Sequence, residues 1–337
     1  MPAVLASGYH GPPELTVLRA FTEWAPDPWA LAFIVVLGVL YLAGVRQLRR
    51  SGQGWPAGRI VAFCGLGLGF AVIATMSFVG VYQSVLFYAR GVQTILLLLV
   101  VPLFLAIGRP LSMAIAVLPR VGPALEAAIR SPVAKALTFP AVTTLVIVVT
   151  PFLLYFTPWY AAGFHSAAVR ELTYLALLAP GFVFFWTLLR VDPVPKAYPY
   201  LVSLWVTGAE VVGDAVLGLA VIADQNLIAS AYYHALARPW GPSLSTDQVL
   251  GGGALWILGD IVGLPFLAAQ LIQMIREDEA EAEVIDAELD ARDAEPAVTL
   301  GATPGSAGDG APAAHRPWWE SDPRFADRFR PVDGDPD

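Results

Sequence analysis

Apolar residues in this chain gather into long unbroken blocks. Seven stand out, at about 28–45, 60–79, 84–107, 134–157, 168–189, 200–222 and 249–275. Each holds roughly 18–27 residues, close to the ~20 that a helix needs to cross the hydrocarbon core of a bilayer. The pattern predicts an all-α, polytopic membrane protein, a bundle of seven transmembrane helices. The fourth and fifth blocks carry Pro140, Pro151 and Pro180. Membrane helices tolerate proline because neighbouring groups satisfy the freed carbonyls. Residues 111–130 are moderately apolar but broken at Pro119 and Pro123, and read as interfacial. The first 27 residues lack a basic start followed by an apolar core, so no cleaved signal peptide is expected.

Basic residues between the blocks orient them. Arg46, Arg49, Arg50 and Arg59 follow the first block, Arg109, Arg120, Arg130 and Lys135 the third, and Arg190 and Lys196 the fifth. The opposite loops hold only Arg19 and Arg238. Ten against two puts the first group in the cytoplasm, the N-terminus outside and the C-terminus inside. The expected domains are an extracytoplasmic segment 1–27, a membrane domain 28–276 and a cytoplasmic tail 277–337.

Composition agrees with the blocks. The chain is 56% hydrophobic and 14% charged over 337 residues, too few charges for a soluble chain of this length. The net charge of −8 is uneven: residues 277–337 hold 17 acids and 5 basic residues, and the rest holds 11 acids and 15 basic residues. The body is thus mildly basic, and the overall charge carries no message about nucleic acid, which is not an expected partner. In the tail, 277–293 can extend the last helix, and 294–315 reads as a disordered Ala-, Gly- and Pro-rich linker. Residues 316–330 interleave Trp318, Trp319, Phe325 and Phe329 with four arginines. That segment reads as a free end or as a peptide docking on a partner or on anionic headgroups.

Charges inside the blocks carry the functional signal, because ionisable residues in a bilayer are costly. They are Arg90 in the third block, Arg170 and Glu171 at the start of the fifth, Glu210 and Asp214 in the sixth, and Asp260 in the seventh. Unpaired charges in lipid are unfavourable, so these residues are expected to face one another inside the bundle. They serve either as ion pairs that orient helices or as a functional site. Other chemistry is absent: no phosphate loop, zinc-protease helix or nucleophile elbow occurs, and no enzyme activity is expected. The single cysteine, Cys64, lies inside the second block and excludes an internal disulfide.

Four stretches carry a family resemblance: "YLAGVRQLRRSGQGWPAGRIVAF" (41–63), "LLLVVPLFLAIGRPL" (97–111), "RVDPVPK" (190–196) and "DQVLGGGALWILGD" (247–260). In order and content they resemble the CtaG-type cytochrome c oxidase assembly factors of Gram-positive bacteria, in their actinobacterial form. The last is the most specific, with Asp247, Gln248, Gly251, Gly252 and Trp256 entering the final helix. The resemblance implies a seven-helix, multi-pass protein of the bacterial plasma membrane. Its implied role is respiratory-chain biogenesis, namely assembly of haem–copper oxidase with copper handling.

This chain departs from the family where the resemblance implies metal ligands. The family's third helix reads His-Met-x-Gln-His; here it reads Arg90-Gly91-Val92-Gln93-Thr94, and only Gln93 is kept. A second histidine pair falls at Arg170 and Tyr174, and a further histidine at Asp214. Arginine has no lone pair to offer a metal. The expectation is therefore an ion-pair network in place of copper, with Arg90 paired to Asp214 because the resemblance places histidines at both positions, Glu210 as the next candidate partner, and no cofactor predicted. The implied function is a membrane assembly or accessory factor acting on oxidase subunits or other assembly factors. The alternatives are a transporter-like paralogue that uses the charged cluster as a path, and a copper site built from His165 and His234.

Overall fold

An Asp-Pro pair opens the first membrane-length helix. Pro28 needs no N–H at the first helical position, and the Asp27 carboxylate accepts the N–H groups of Trp29 and Ala30 at 3.2 and 3.3 Å. In the computed structural model, which describes residues 8–294, this helix is α2 (Pro28–Arg50), preceded by the short α1 (Val17–Thr22). Next come α3 (Ala57–Tyr82) and α4 (Phe87–Ile107), each with a π-helical stretch, and then three short helices, α5 (Pro110–Val117), α6 (Gly122–Ile129) and α7 (Pro132–Leu137). The chain continues through α8 (Pro140–Phe156), α9 (Trp159–His165), α10 (Ala167–Leu189), α11 (Tyr200–Ala223), α12 (Ser230–Leu236) and α13 (Leu244–Ala294). No strand occurs among the described residues.

Six helices are long and apolar enough to cross a membrane, and α8 with α9 makes up to seven. That pair is bent by 67° at Thr157 and Pro158. The fourth span differs from the expected 134–157. Proline disfavours helical backbone at the residue before it and suits the first helical turn, so α7 ends at Leu137 and α8 starts afresh at Pro140. The last helix begins at Leu244, five residues before the expected 249. Helices α5 and α6 have eight residues each, about 12 Å of rise, too short to cross a bilayer.

Helix α4 is the most buried of the spans and packs against α3 and α10. Outward faces carry exposed Val35, Val36, Val39 and Leu40 on α2, Trp205, Val212 and Val216 on α11, and Ile257 and Ile261 on α13. That much exposed apolar surface belongs against lipid. Two compact units divide the chain, Met1–Ala280 and Glu281–Asp337. All the sites below lie in the first. The expected linker and the segment with Trp318, Trp319, Phe325 and Phe329 lie outside the described residues.

Sidedness follows from the loop charges and can be checked directly. Ser51, at the end of α2, and Ser245, in the first turn of α13, are both exposed and lie at helix ends expected on opposite sides. In a Cys64→Ala background, cysteine at Ser51 should resist an impermeant thiol reagent in intact cells, and cysteine at Ser245 should react. Labelling at position 51 with protection at 245 would invert the orientation.

Candidate functional site

The polar residues of the membrane domain separate into four groups. The first surrounds Arg90, in the first turn of α4. Its Nη1 donates to the side-chain oxygens of Gln83 and Gln93, the latter at 2.9 Å. Gln83 in turn donates to the Tyr174 hydroxyl at 2.7 Å, and Gln93 donates to Ala74 O at 2.8 Å and Tyr174 Oη at 3.4 Å. Thr94 donates to the Arg90 carbonyl and meets Tyr155 Oη at 3.0 Å. Short helices α9 and α12 cover this group: Tyr160 and Tyr233 share a hydroxyl–hydroxyl bond of 2.8 Å, and Phe164 stacks on Tyr232. Burial pushes the Tyr233 hydroxyl well above its ordinary pKa, so it keeps its proton and its place in that bond.

The second group sits at the start of α10. Arg170 pairs with Asp27 at 2.9 Å and with Glu171 at 3.2 Å, and so ties α10 to the N-terminus of α2. The third is acidic. Glu210 and Asp214 lie one turn apart on α11, both buried, and face α13, which carries Asp260. Among the described residues no basic side chain pairs with any of the three. The fourth is the buried pair Arg238–Asp247, at 3.2 Å. Asp247 also accepts the N–H groups of Phe87 and Tyr88, both at 3.1 Å, and thereby caps α4 from a distant part of the chain.

The expected pairing of Arg90 with Asp214 does not occur, nor does one with Glu210, and the six intramembrane charges do not form a single network. The reason lies in helix packing. Helix α13 lies against both α4 and α11. A Cβ at Gly91 would stand 2.8 Å from Gly251 O, and one at Gly252 would stand 2.7 Å from Gly218 O. Asp214 then faces α13: a Cβ at Gly259 would fall 2.4 Å from its Oδ2. The positions that the family resemblance marks as ligands are likewise divided. Arg90, Thr94 and Tyr174 share the first group, Arg170 belongs to the second and Asp214 to the third.

This separation carries a prediction. Arg90→Ala and Asp214→Ala should each destabilise the protein, and their effects should add to within about 0.5 kcal/mol, as for residues without a shared partner. Recovery of stability in the double variant, measured by thermal unfolding in detergent, would show that the two meet after all.

The motif residues read as fasteners. Asp247 caps α4, and Gln248 accepts Ile228 N–H at 2.8 Å while donating to the carbonyls of Val221, Asp224 and Asn226. Gly251 and Gly252 are the contact points just described, and the backbone and Cβ of Trp256 lie against Gly218. In the other motifs, Tyr41 donates to Gly108 O at 2.7 Å and accepts from Trp55. Asp192 caps α5 through Leu111 and Ser112, and Arg190 donates to Ser203 Oγ at 2.8 Å. Several members of the groups had drawn no attention in the sequence: Gln83, Tyr155, Tyr160, Tyr233 and the role of Asp27. Only Asp27 carried a local signal, as an aspartate directly before a proline-initiated helix.

Among the described residues no three His, Cys, Asp or Glu side chains come together in a way that could hold a metal ion. The donors around position 90 are a guanidinium, two carboxamides and hydroxyls, which do not fit copper. His165 packs edge-on against Tyr232, and His234 is exposed on α12.

These features define a polytopic helical membrane protein whose fixed motifs lock its helices together around buried polar groups. The chain belongs to the cytochrome c oxidase caa3 assembly factor family, whose model matches residues 39–277, most of the chain and nearly all of the bundle. It is 29% identical over 304 residues to an uncharacterized protein of Mycobacterium bovis, covering 85% of this chain and 46% of the relative. An uncharacterized protein of Mycobacterium leprae is 28% identical over 279 residues, covering 80% and 42%. The chain therefore spans about half the length of the curated relatives it matches. No solved structure matches it.

Proposed function

We propose that the protein is a membrane-embedded assembly or accessory factor for cytochrome c oxidase in the bacterial plasma membrane. It acts by binding oxidase subunits or other assembly factors, without catalysis and without holding copper at the family's ligand positions. One observation carries this reading. The family's motifs persist here as the contacts that hold the bundle, and the ligand positions carry Arg90, Thr94, Arg170, Tyr174 and Asp214, dispersed among three polar groups. Nothing in the family match favours the transporter-like alternative.

Four measurements test this. Tagged protein solubilised gently from its native membranes should bring oxidase subunits or other assembly factors with it, and loss of its gene should lower the amount of assembled oxidase. Unchanged oxidase abundance after deletion would remove the assembly role. The purified protein should contain far less than one copper per chain by elemental analysis. Joint replacement of Arg90, Thr94 and Arg170 by histidine should not raise that content, because Tyr174 and Asp214 remain and the positions lie in separate groups. One copper per wild-type chain would overturn the metal-free reading.

A further inference from the structure

Arg90 is only 1% exposed, yet its Nε and Nη2 have no hydrogen-bond acceptor among the described residues. These two N–H groups lie along one edge of the planar guanidinium and point the same way. That edge is the fork that meets both oxygens of a carboxylate side-on. The polar neighbours are engaged elsewhere. Gln83 and Gln93 accept from Nη1, the Tyr174 hydroxyl takes the glutamine amides, Tyr155 bonds Thr94, and Tyr160 bonds Tyr233.

The rings of Tyr160 and Phe164 have centroids 5.9 and 5.7 Å from the guanidinium carbon. Their quadrupoles favour a cation but offer no acceptor for its in-plane donors. Among the described residues no carboxylate pairs with Arg90. Gly163 of α9 lies beside the fork: a Cβ there would stand 3.6 Å from Nη2. The two glutamines thus hold the guanidinium by one nitrogen and leave its recognition edge free. Buried donors without acceptors are strongly disfavoured, so this edge is suited to an acceptor that the bundle does not itself supply.

We propose that the Nε–Nη2 edge of Arg90 is a binding site for a small carboxylate anion, held between α4 and α9. A single guanidinium balances one negative charge, which favours a monocarboxylate over a phosphate or sulfate dianion. Two parallel donors match two oxygens, which favours a carboxylate over chloride. The site is separate from the assembly role and does not rest on it.

Formate is the smallest probe of this chemistry. The full chain, purified in detergent, is unfolded thermally in sodium formate and in sodium chloride at equal ionic strength. Formate should raise the wild-type Tm by several degrees in a saturable way, as a ligand of the folded state does, and chloride should not. Arg90→Lys keeps the charge but loses the fork, and should lose the preference for formate. Gly163→Asp puts a carboxylate beside Nη2; it should raise Tm in the absence of formate and abolish the formate response. A wild-type response to formate no larger than that to chloride overturns the proposal, whatever the variants do. So does a full formate response in Gly163→Asp.

Discussion

Replacing Asp247 by alanine is expected to lower stability by about 3–5 kcal/mol, seen as a large drop in Tm in detergent. Three interactions end at once. The Phe87 and Tyr88 N–H groups lose the carboxylate that caps α4, and Arg238, buried beside it, loses its partner. Capping alone is worth about 1 kcal/mol, so most of the loss comes from the stranded guanidinium. The double variant Asp247→Ala, Arg238→Met should therefore recover the larger part of the loss, but not all of it, because the two backbone donors stay unmet. A single variant with a Tm close to wild type would show that the capping arrangement contributes little.

The three consecutive glycines 251–253 should respond to alanine in opposite ways. At Gly252 a Cβ would lie 2.7 Å from the backbone oxygen of Gly218, which cannot swing aside as a side chain can. At Gly251 it would lie 2.2 Å from Phe87 Cδ1 and 3.2 Å from the Phe87 carbonyl carbon. Each substitution forces α13 away from α11 or α4, at a cost of about 1–3 kcal/mol, and valine should cost more. Around Gly253 nothing lies within 4 Å, so Gly253→Ala should be neutral or stabilise by roughly 0.5–1 kcal/mol through the backbone. Thermal unfolding of the three single variants side by side checks this. Equal sensitivity at all three positions would mean that close helix approach is not what the motif serves.

The membrane spans were legible because hydropathy is local: a block of apolar residues must cross the bilayer whatever its neighbours do. The larger revision, in the fourth span, came from Pro140 and Pro158, whose effect on the backbone is also local. Asp247, Gln248, Gly251, Gly252 and Trp256 were legible as a fixed set, but not as fasteners, since what each touches lies on another helix. Asp247 reaches the start of α4, 160 residues earlier in the chain.

The sequence by itself determined that this is a helical membrane protein with charges buried in its spans, and that no histidine stands at positions 90, 94, 170, 174 or 214. Only the tertiary structure decided which charges meet. Pairing depends on the rotation of each helix about its axis and on which helix lies between two others, and a linear pattern contains neither. Gly91 and Gly218 draw α13 against both α4 and α11, which turns Asp214 toward Gly259 and leaves Arg90 to Gln83 and Gln93. Packing of α10 beside the start of α2 gave Arg170 to Asp27, and two donors of Arg90 find no acceptor among the described residues. Depth in the membrane called for a partner for each charge, and packing decided which charges met one.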